Sequence, residues 1–196
     1  MKANKELAGC GTAAEEMRCE LKRIRYKRAY LSTLRSTLFS LLVIVAFVLL
    51  VAAYLPVIRI TGDSMAGTLR RGDVLITLRG DEVDHGDLIV FYVEGNKMLV
   101  KRAVALGGDR VQIEQDGTLM VNDQIINEAY ISNKSYGECD LEFPFEVPNE
   151  RVFVLGDNRE LSIDSRSSAV GCIAREQIIG KVALRIWPLQ SFGWIE

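Results

Sequence analysis

The chain has 196 residues, a formal net charge of −2 and a single histidine. This length accommodates one globular domain of ordinary size together with a smaller element. The near-neutral charge supplies no basic field of the kind that attracts nucleic acid, so we expect no nucleic-acid partner. The charge is uneven, however, because basic side chains are concentrated ahead of one long apolar stretch. They are Lys22, Arg23, Arg25, Lys27, Arg28 and Arg35.

Residues 38–55 are uncharged and almost entirely apolar. A helix of this length spans about 27 Å, close to the hydrocarbon thickness of a bilayer. A helix also satisfies its own backbone hydrogen bonds in lipid. The Lys and Arg residues before the stretch predict that the N-terminus is cytoplasmic. We therefore predict a basic cytoplasmic segment (1–37), a transmembrane helix (38–55) and an extracytoplasmic domain (56–196).

Two other interpretations of the apolar stretch remain open. A cleavable signal peptide is one, with Ala52 and Ala53 as small residues at a cleavage site. Such peptides usually have a shorter apolar region, of about 7–15 residues. A buried core helix is the other, and the stretch is apolar on every face, which disfavours a helix that packs one side on a core.

The region after Pro56 contains short apolar runs separated by Gly, Asp and Asn, which is typical of strands and turns. One short helical turn is predicted within AREQIIG, at 174–180. The sequence thus predicts a mainly β domain on a membrane anchor. The tail aromatics are expected to pack in its core, with the membrane interface as the alternative; they are Trp187, Phe192 and Trp194. The predicted strands are 73–78, 87–93, 97–106, 109–115, 118–126, 151–157 and 178–187.

The four cysteines divide at the proposed membrane. Cys10 and Cys19 fall on the cytoplasmic side, where thiols stay reduced. Cys139 and Cys172 fall outside, where they either pair or remain two free thiols. With one histidine and no Cys-x-x-Cys motif, the sequence predicts no metal site.

Ser64 follows the apolar stretch directly, in the segment TGDSMAGTL. A serine hydroxyl is a weak nucleophile unless a base accepts its proton. His85 lies in the acidic, turn-like segment DEVDHGDLIVF and is expected at the surface. The other available base is a lysine that apolar surroundings keep neutral. Lys101 in MLVKRAVAL and Lys181 in IIGKVALRI both have such surroundings, and local hydrophobicity favours Lys101 only modestly.

Five sequence boxes occur in order after the apolar stretch: GDSM followed by TL, then RRGDVLI, HGDLIVF, VKRAVALGGDRV and VLGDNRELSIDSRSSAVGCI. Together they resemble the conserved boxes of bacterial type I signal peptidases, the serine–lysine leader peptidases of peptidase family S26. The short chain is similar to the Gram-positive form. The resemblance covers nearly the whole external domain and implies a compact antiparallel β-sheet catalytic domain with one N-terminal transmembrane helix.

The resemblance also implies residue roles. Ser64 matches the nucleophile and Lys101 the general base, which favours Lys101 over Lys181. The backbone N–H of Ser64 would donate to the tetrahedral oxyanion. Ser162 matches the serine that orients the lysine amine. A supporting charged network is implied for Asp157, Asp164 and Arg166.

This chain departs from the family pattern at two glycines. Some members have a hydroxyl donor to the oxyanion at the position of Gly62, so the second donor here is left to the backbone or to Thr61. The family usually has proline at the position of Gly67. Glycine is more permissive, which puts the rigidity of the turn after Ser64 in question.

The implied substrates are signal-peptide-bearing precursor proteins with small residues in an A-x-A pattern before the cut. An extended peptide would add a strand beside the segment before Ser64 and the strand of Lys101. The implied surroundings are the lipid bilayer and the neighbourhood of the secretion translocon, with no cofactor. The implied pocket residues are Ile58, Ile60, Met65, Val90 and Val100.

Three other functions are considered. A sortase-like transpeptidase needs a reactive cysteine with His and Arg, and Cys172 and His85 lack those surroundings. A repressor-type self-cleaving Ser–Lys protease would lack the apolar span. A non-enzymatic anchored binding domain is supported only by Gly62 and Gly67.

Overall fold

The computed structural model describes residues 13–80, 82–93, 95, 97–131 and 133–195. The chain divides into two compact units, residues 1–51 and residues 52–196. The predictions for the first twelve residues, Cys10 included, lie outside the described residues, and so does the side chain of Cys19.

One helix, α1, accounts for the described part of the N-terminal unit and runs from Ala13 to Tyr54. It is longer than the predicted segment 38–55, because the sequence has no Gly or Pro between residues 13 and 55. Its section Ile24–Val51 is long and apolar enough to cross a membrane, by length and composition. The large apolar side chains of this section are exposed, as lipid-facing residues would be; Leu42 and Leu49 are each 65% exposed.

In the residues that the structure describes after α1, twelve strands form two sheets, and every pairing is antiparallel. The larger sheet has the order β1–β2–β11–β3–β4–β9–β10, with β12 beside β11, and the smaller has the order β7–β6–β5–β8. The strands are β1 Val57–Arg59, β2 Val74–Leu78, β3 Leu88–Val93, β4 Lys97–Leu106, β5 Arg110–Ile113, β6 Leu119–Val121, β7 Gln124–Ile125, β8 Phe145–Glu146, β9 Arg151–Leu155, β10 Ile173–Ala174, β11 Ile178–Trp187 and β12 Gly193–Trp194.

Strand β4 lies inside the larger sheet and has a neighbour on each side. It pairs with β3, where Ile89 lies opposite Lys101, and with β9, where Arg102 lies opposite Leu155. The predicted alternation along β4 holds from Leu99 to Ala103, since Leu99 and Ala103 pack in one apolar cluster and Val100 packs in another. It does not hold for Val104, which packs with Ala105 in a third cluster, because the pairing with β9 is irregular between Ala103 and Ala105. From Lys101 to Ala105, β4 is buried on both faces. The cations Lys101 and Arg102 therefore lie inside the protein.

The structure confirms the mainly β fold class and the short helical turn, a 3₁₀ helix at Arg175–Gln177. The short strands β1, β8, β10 and β12 were not predicted, because two or three residues are too few to show a period. The prediction that the tail aromatics are buried is wrong. They lie at the margin of the larger sheet, where no further layer covers them: Trp187 is 55%, Phe192 60% and Trp194 76% exposed.

The segment 126–144, between β7 and β8, encloses buried charge at one side of the larger sheet. Glu128 forms an ion pair with Arg159, and both side chains are 1% exposed. The Tyr130 hydroxyl donates to Glu128 at 2.7 Å, and the Tyr130 ring lies 3.9 Å from the guanidinium of Arg102. The segment therefore supplies contacts to two buried arginines, Arg159 and Arg102.

Replacing Glu128 should destabilise the fold strongly. Glu128→Ala leaves the Arg159 guanidinium buried and uncompensated, and breaking one partner of a buried pair costs about 3–5 kcal/mol. We expect this loss in the free energy of unfolding of the full chain in detergent micelles, followed by near-ultraviolet circular dichroism in urea. The control is Arg110→Ala, which breaks an exposed pair with Asp123; it should leave the transition midpoint unchanged. Equal effects of the two variants would contradict the prediction.

Candidate active site

Ser64 lies in a tight turn that hydrogen bonds hold on both sides. The Ala66 N–H donates to the Asp63 carbonyl at 3.1 Å, and the Leu69 N–H donates to the Met65 carbonyl at 2.8 Å. The Ser64 carbonyl itself accepts the N–H of Asn158 at 3.0 Å. The backbone of Ser64 is thus fixed from two parts of the chain.

Gly67 gives this turn a conformation that proline does not permit. Its φ is +116°, whereas the proline ring holds φ near −65° and other side chains rarely enter this region. The turn therefore follows a path specific to glycine at this position. The hydrogen bonds on either side of Gly67 keep the turn ordered without the ring.

Lys101 is the buried amine next to this turn. The residue is 1% exposed, and its Nζ donates to the Ser162 Oγ at 2.8 Å. Burial lowers the pKa of Lys101 to about 8; the Asp164 carboxylate opposes the shift and the Arg166 cation adds to it. Roughly a tenth of the amine is therefore neutral at pH 7.

Gly156, directly after β9, is the point where the turn and the Ser162 loop meet. A Cβ at this position would collide with the Ser162 hydroxyl and would lie 2.6 Å from the Ser64 carbonyl oxygen. Only glycine fits between them. The close approach brings the Ser162 side chain, the hydrogen-bond partner of Lys101, near the backbone of Ser64.

Asp164 and Arg166 hold the loop 156–166 from inside. The Arg166 Nε donates to the Asp164 Oδ1 at 2.8 Å, and the Gly156 N–H donates to the Asp164 Oδ2 at 3.0 Å. Arg166 also donates to the Arg159 carbonyl at 2.8 Å. Because these groups are buried and paired, the loop that carries Ser162 has a defined position.

Asp157 joins β4 to the Ser64 turn. Arg102 donates to both of its carboxylate oxygens, at 3.0 and 2.9 Å, and the Thr68 hydroxyl donates to it at 2.5 Å. Sequence analysis did not select Arg102, Arg159 or Glu128 for this network. The arginine inside the apolar run VKRAVAL was a usable signal, because a buried cation requires a partner.

Two clefts meet at Ser64. The first cleft, of about 430 Å³, lies between the chain before Ser64 and the start of β4. The second cleft, of about 590 Å³, contains Lys101 and extends toward Leu161 and Ile163. Gly62, Ser64 and Leu99 line both clefts. A chain can therefore pass Ser64 with one side in each cleft.

Four of the five predicted pocket residues line the first cleft: Ile58, Ile60, Met65 and Val100. Val90 is not among the described residues that line it. Val90 is fully buried and packs in the apolar cluster that contains Ile58, Ile60 and Met65. Its place in the structure is beneath the cleft.

The other candidate bases have different surroundings. The His85 ring lies 2.7 Å from Asp109 and is 54% exposed. Lys181 forms ion pairs with Asp87 at 3.0 Å and with Asp84 at 3.8 Å. Neither His85 nor Lys181 occurs among the described lining residues of the two clefts.

Cys139 and Cys172 are free thiols in the described domain. Burial raises the pKa of Cys172 to about 11, which makes its thiolate scarce at neutral pH. Over the described ranges, His, Cys, Asp and Glu form no group of three or more that could hold a metal ion.

The sequence of the chain is similar to those of known signal peptidases. The family model for signal peptidase, peptidase S26, matches residues 32–187. Signal peptidase IB of Staphylococcus aureus (strain MRSA252) is 35% identical over 154 residues, which cover 69% of this chain and 79% of that protein. Signal peptidase I of Streptococcus pneumoniae serotype 4 is 28% identical over 174 residues, covering 69% and 84%.

Among solved structures, a signal peptidase I from Enterococcus faecalis V583 has a TM-score of 0.44 at 27% identity and covers 52% of this chain and 97% of that one. The family assignment rests on the sequence matches. The family model spans most of the chain, and the Staphylococcus aureus relative is matched over more than two thirds of its length. The chain therefore belongs to the signal peptidase family, peptidase S26.

Proposed function

We propose that this protein is a membrane-bound serine endopeptidase that removes N-terminal signal peptides from secreted precursor proteins. Family membership supports the class of reaction, since the relatives are named signal peptidases. One observation supports the mechanism most: a buried lysine amine, bonded to Ser162, lines the same cleft as Ser64. Ser64 is the nucleophile of the proposal and Lys101 its general base.

In this mechanism the neutral Lys101 amine accepts the Ser64 hydroxyl proton as Ser64 Oγ attacks the scissile carbonyl carbon. The Ser64 N–H donates to the oxyanion that forms. The Lys101 ammonium then gives its proton to the leaving amine as the peptide bond breaks, which leaves an ester on Ser64. Lys101 next takes a proton from water, whose hydroxide attacks the ester, and it returns the proton to Ser64.

Ser162 and the charged residues have positioning roles in the proposal. The Ser162 hydroxyl accepts one N–H of Lys101, so the lone pair of the neutral amine is free to face Ser64. Asp164 and Arg166 hold the loop of Ser162, and Asp157 ties the Ser64 turn to β4. In the proposal these bonds hold Ser64 and Lys101 in position before substrate arrives.

The first cleft is the proposed binding site for the residues before the cut. An extended peptide there can bond with the backbone before Ser64 and with the start of β4. The walls from Ile58, Ile60, Met65 and Val100 are apolar, and small apolar side chains suit them. This favours A-x-A-like sites.

The membrane arrangement is part of the proposal: a cytoplasmic segment (1–37), a transmembrane helix (38–55) and an extracytoplasmic catalytic domain (56–196). The exposed apolar surface of α1 and the basic residues ahead of its apolar section support this orientation. Signal-peptide precursors are themselves held in the bilayer near the secretion translocon. Tethering enzyme and substrate to one membrane raises their effective concentration.

The dyad is tested by cleavage of a lipid-embedded A-x-A precursor by the full chain. Ser64→Ala removes the nucleophile and Lys101→Met removes the amine at similar length, so each should lower the cleavage rate by about 10⁴-fold or more. His85→Ala, the control, should cut at the wild-type rate. Cleavage by Lys101→Met would refute the base assignment, and a wild-type chain that leaves a range of such precursors intact would favour an anchored binding domain.

The rate should depend on pH through the neutral fraction of Lys101. Because the amine must be unprotonated and its pKa is about 8, kcat/KM should rise about tenfold per pH unit below pH 7 and level off above the pKa. Stopped assays from pH 5.5 to 9.5 with one peptide measure this curve. His85→Ala should give the same rise of kcat/KM with pH. A rise centred near pH 6.5 that disappears in this variant would assign the titration to the histidine.

Gly156→Ala should damage catalysis more than folding. The added methyl group displaces Ser162 or the Ser64 carbonyl, and misplacement of a reacting group by about 1 Å can cost about 10²-fold in rate. We expect that loss in kcat, with KM nearly unchanged. Gly193→Ala is the matched control, because a Cβ there meets no atom within 4 Å. Equal rates for the two variants would count against the role of this close approach.

A further inference from the structure

The second cleft has apolar walls that the reaction scheme leaves without a role. Leu161 and Ile163, on either side of Ser162, are 68% and 60% exposed. Together with Val93 and Val170 they line the space that begins at Ser64. Large exposed apolar side chains beside a buried ion-pair network indicate a surface that binds something.

The chemistry of the dyad decides which part of a substrate enters this cleft. Lys101 gives a proton to the leaving amine, so the nitrogen of the scissile bond must come within hydrogen-bond reach of Nζ. Lys101 lines the second cleft and not the first. The chain on the amino side of the cut occupies the first cleft, and the chain that follows the scissile nitrogen continues into the second.

We propose that the second cleft binds the first residues of the mature protein and that Leu161 and Ile163 select apolar side chains there. This inference rests on the proposed signal peptidase function. Burying an apolar substrate side chain between the two residues favours its binding. A lysine or arginine is disfavoured, because Lys97 lines the same cleft and Lys101 becomes a cation during the reaction. The Asp63 carboxylate also lines this cleft, but it is already paired with Arg71.

The test uses peptides that are identical through the A-x-A site and differ only in the first two residues after the cut. These are Leu-Leu, Ser-Ser and Lys-Lys, cleaved by the full chain in detergent micelles. We expect kcat/KM to be about tenfold higher for Leu-Leu than for Ser-Ser, at the low end for one apolar contact in a pocket. Lys-Lys should be cut more slowly than Ser-Ser.

The variant that tests the assignment is Leu161→Asn with Ile163→Thr, which replaces both apolar side chains with uncharged polar ones. The preference for Leu-Leu over Ser-Ser should fall to within about twofold. The control is Ile125→Thr, at an exposed position on β7 (68% exposed) outside both clefts. It should retain the full preference.

Several outcomes overturn the inference. Equal rates of the wild-type chain on Leu-Leu and Ser-Ser would overturn the inference and leave the proposed function intact. A preference for Leu-Leu that persists in the double variant would also overturn the inference. If the variant slows all three peptides equally in lipid vesicles and none in micelles, the two side chains contact the bilayer instead. Failure of the wild-type chain on every peptide, or cleavage by Ser64→Ala, would instead refute the proposed function itself.

Discussion

The burial of one amine organises this structure. A lysine inside a protein loses its hydration, and its charged form is retained only where nearby anions compensate for that loss. Two carboxylates, those of Asp164 and Asp157, lie close enough to raise the pKa of Lys101. Each is already engaged by an arginine, Arg166 in one case and Arg102 in the other. The anions are therefore held in place and largely neutralised, and the amine remains poised between its two protonation states.

Strand β4 makes this arrangement possible. Its neighbours β3 and β9 pair with it at Lys101 and Arg102, so neither residue is at a sheet edge, and two loops bring the remaining groups to the strand. The Ser64 turn and the loop 156–166 are joined through Asn158, Gly156 and the bond between Thr68 and Asp157. The site is thus held together by hydrogen bonds and close packing between segments about 90 residues apart in sequence.

The parts that sequence could predict are those set by local pattern. The apolar helix, the main strands and the alternation along β4 follow from periodicity, and the ordered boxes predicted the family. Local pattern could not separate Lys101 from Lys181, because both lie in apolar strands. The difference comes from Asp84 and Asp87, in the turn before β3, which pair with Lys181. The pairing of Glu128 with Arg159 and the exposure of the tail aromatics likewise depend on neighbours that a strand pattern does not specify.

The continuity of the two clefts past Ser64 has a consequence for timing. A polypeptide that fills both must be extended for several residues on each side of the bond to be cut, since a helix or hairpin is too wide to follow the strand-like path beside β4. A mature domain whose first strand has already folded cannot place that extended stretch in the second cleft. In the proposed binding mode, processing of a precursor competes with folding of its mature part, and the outcome depends on how soon the first residues of that part acquire structure.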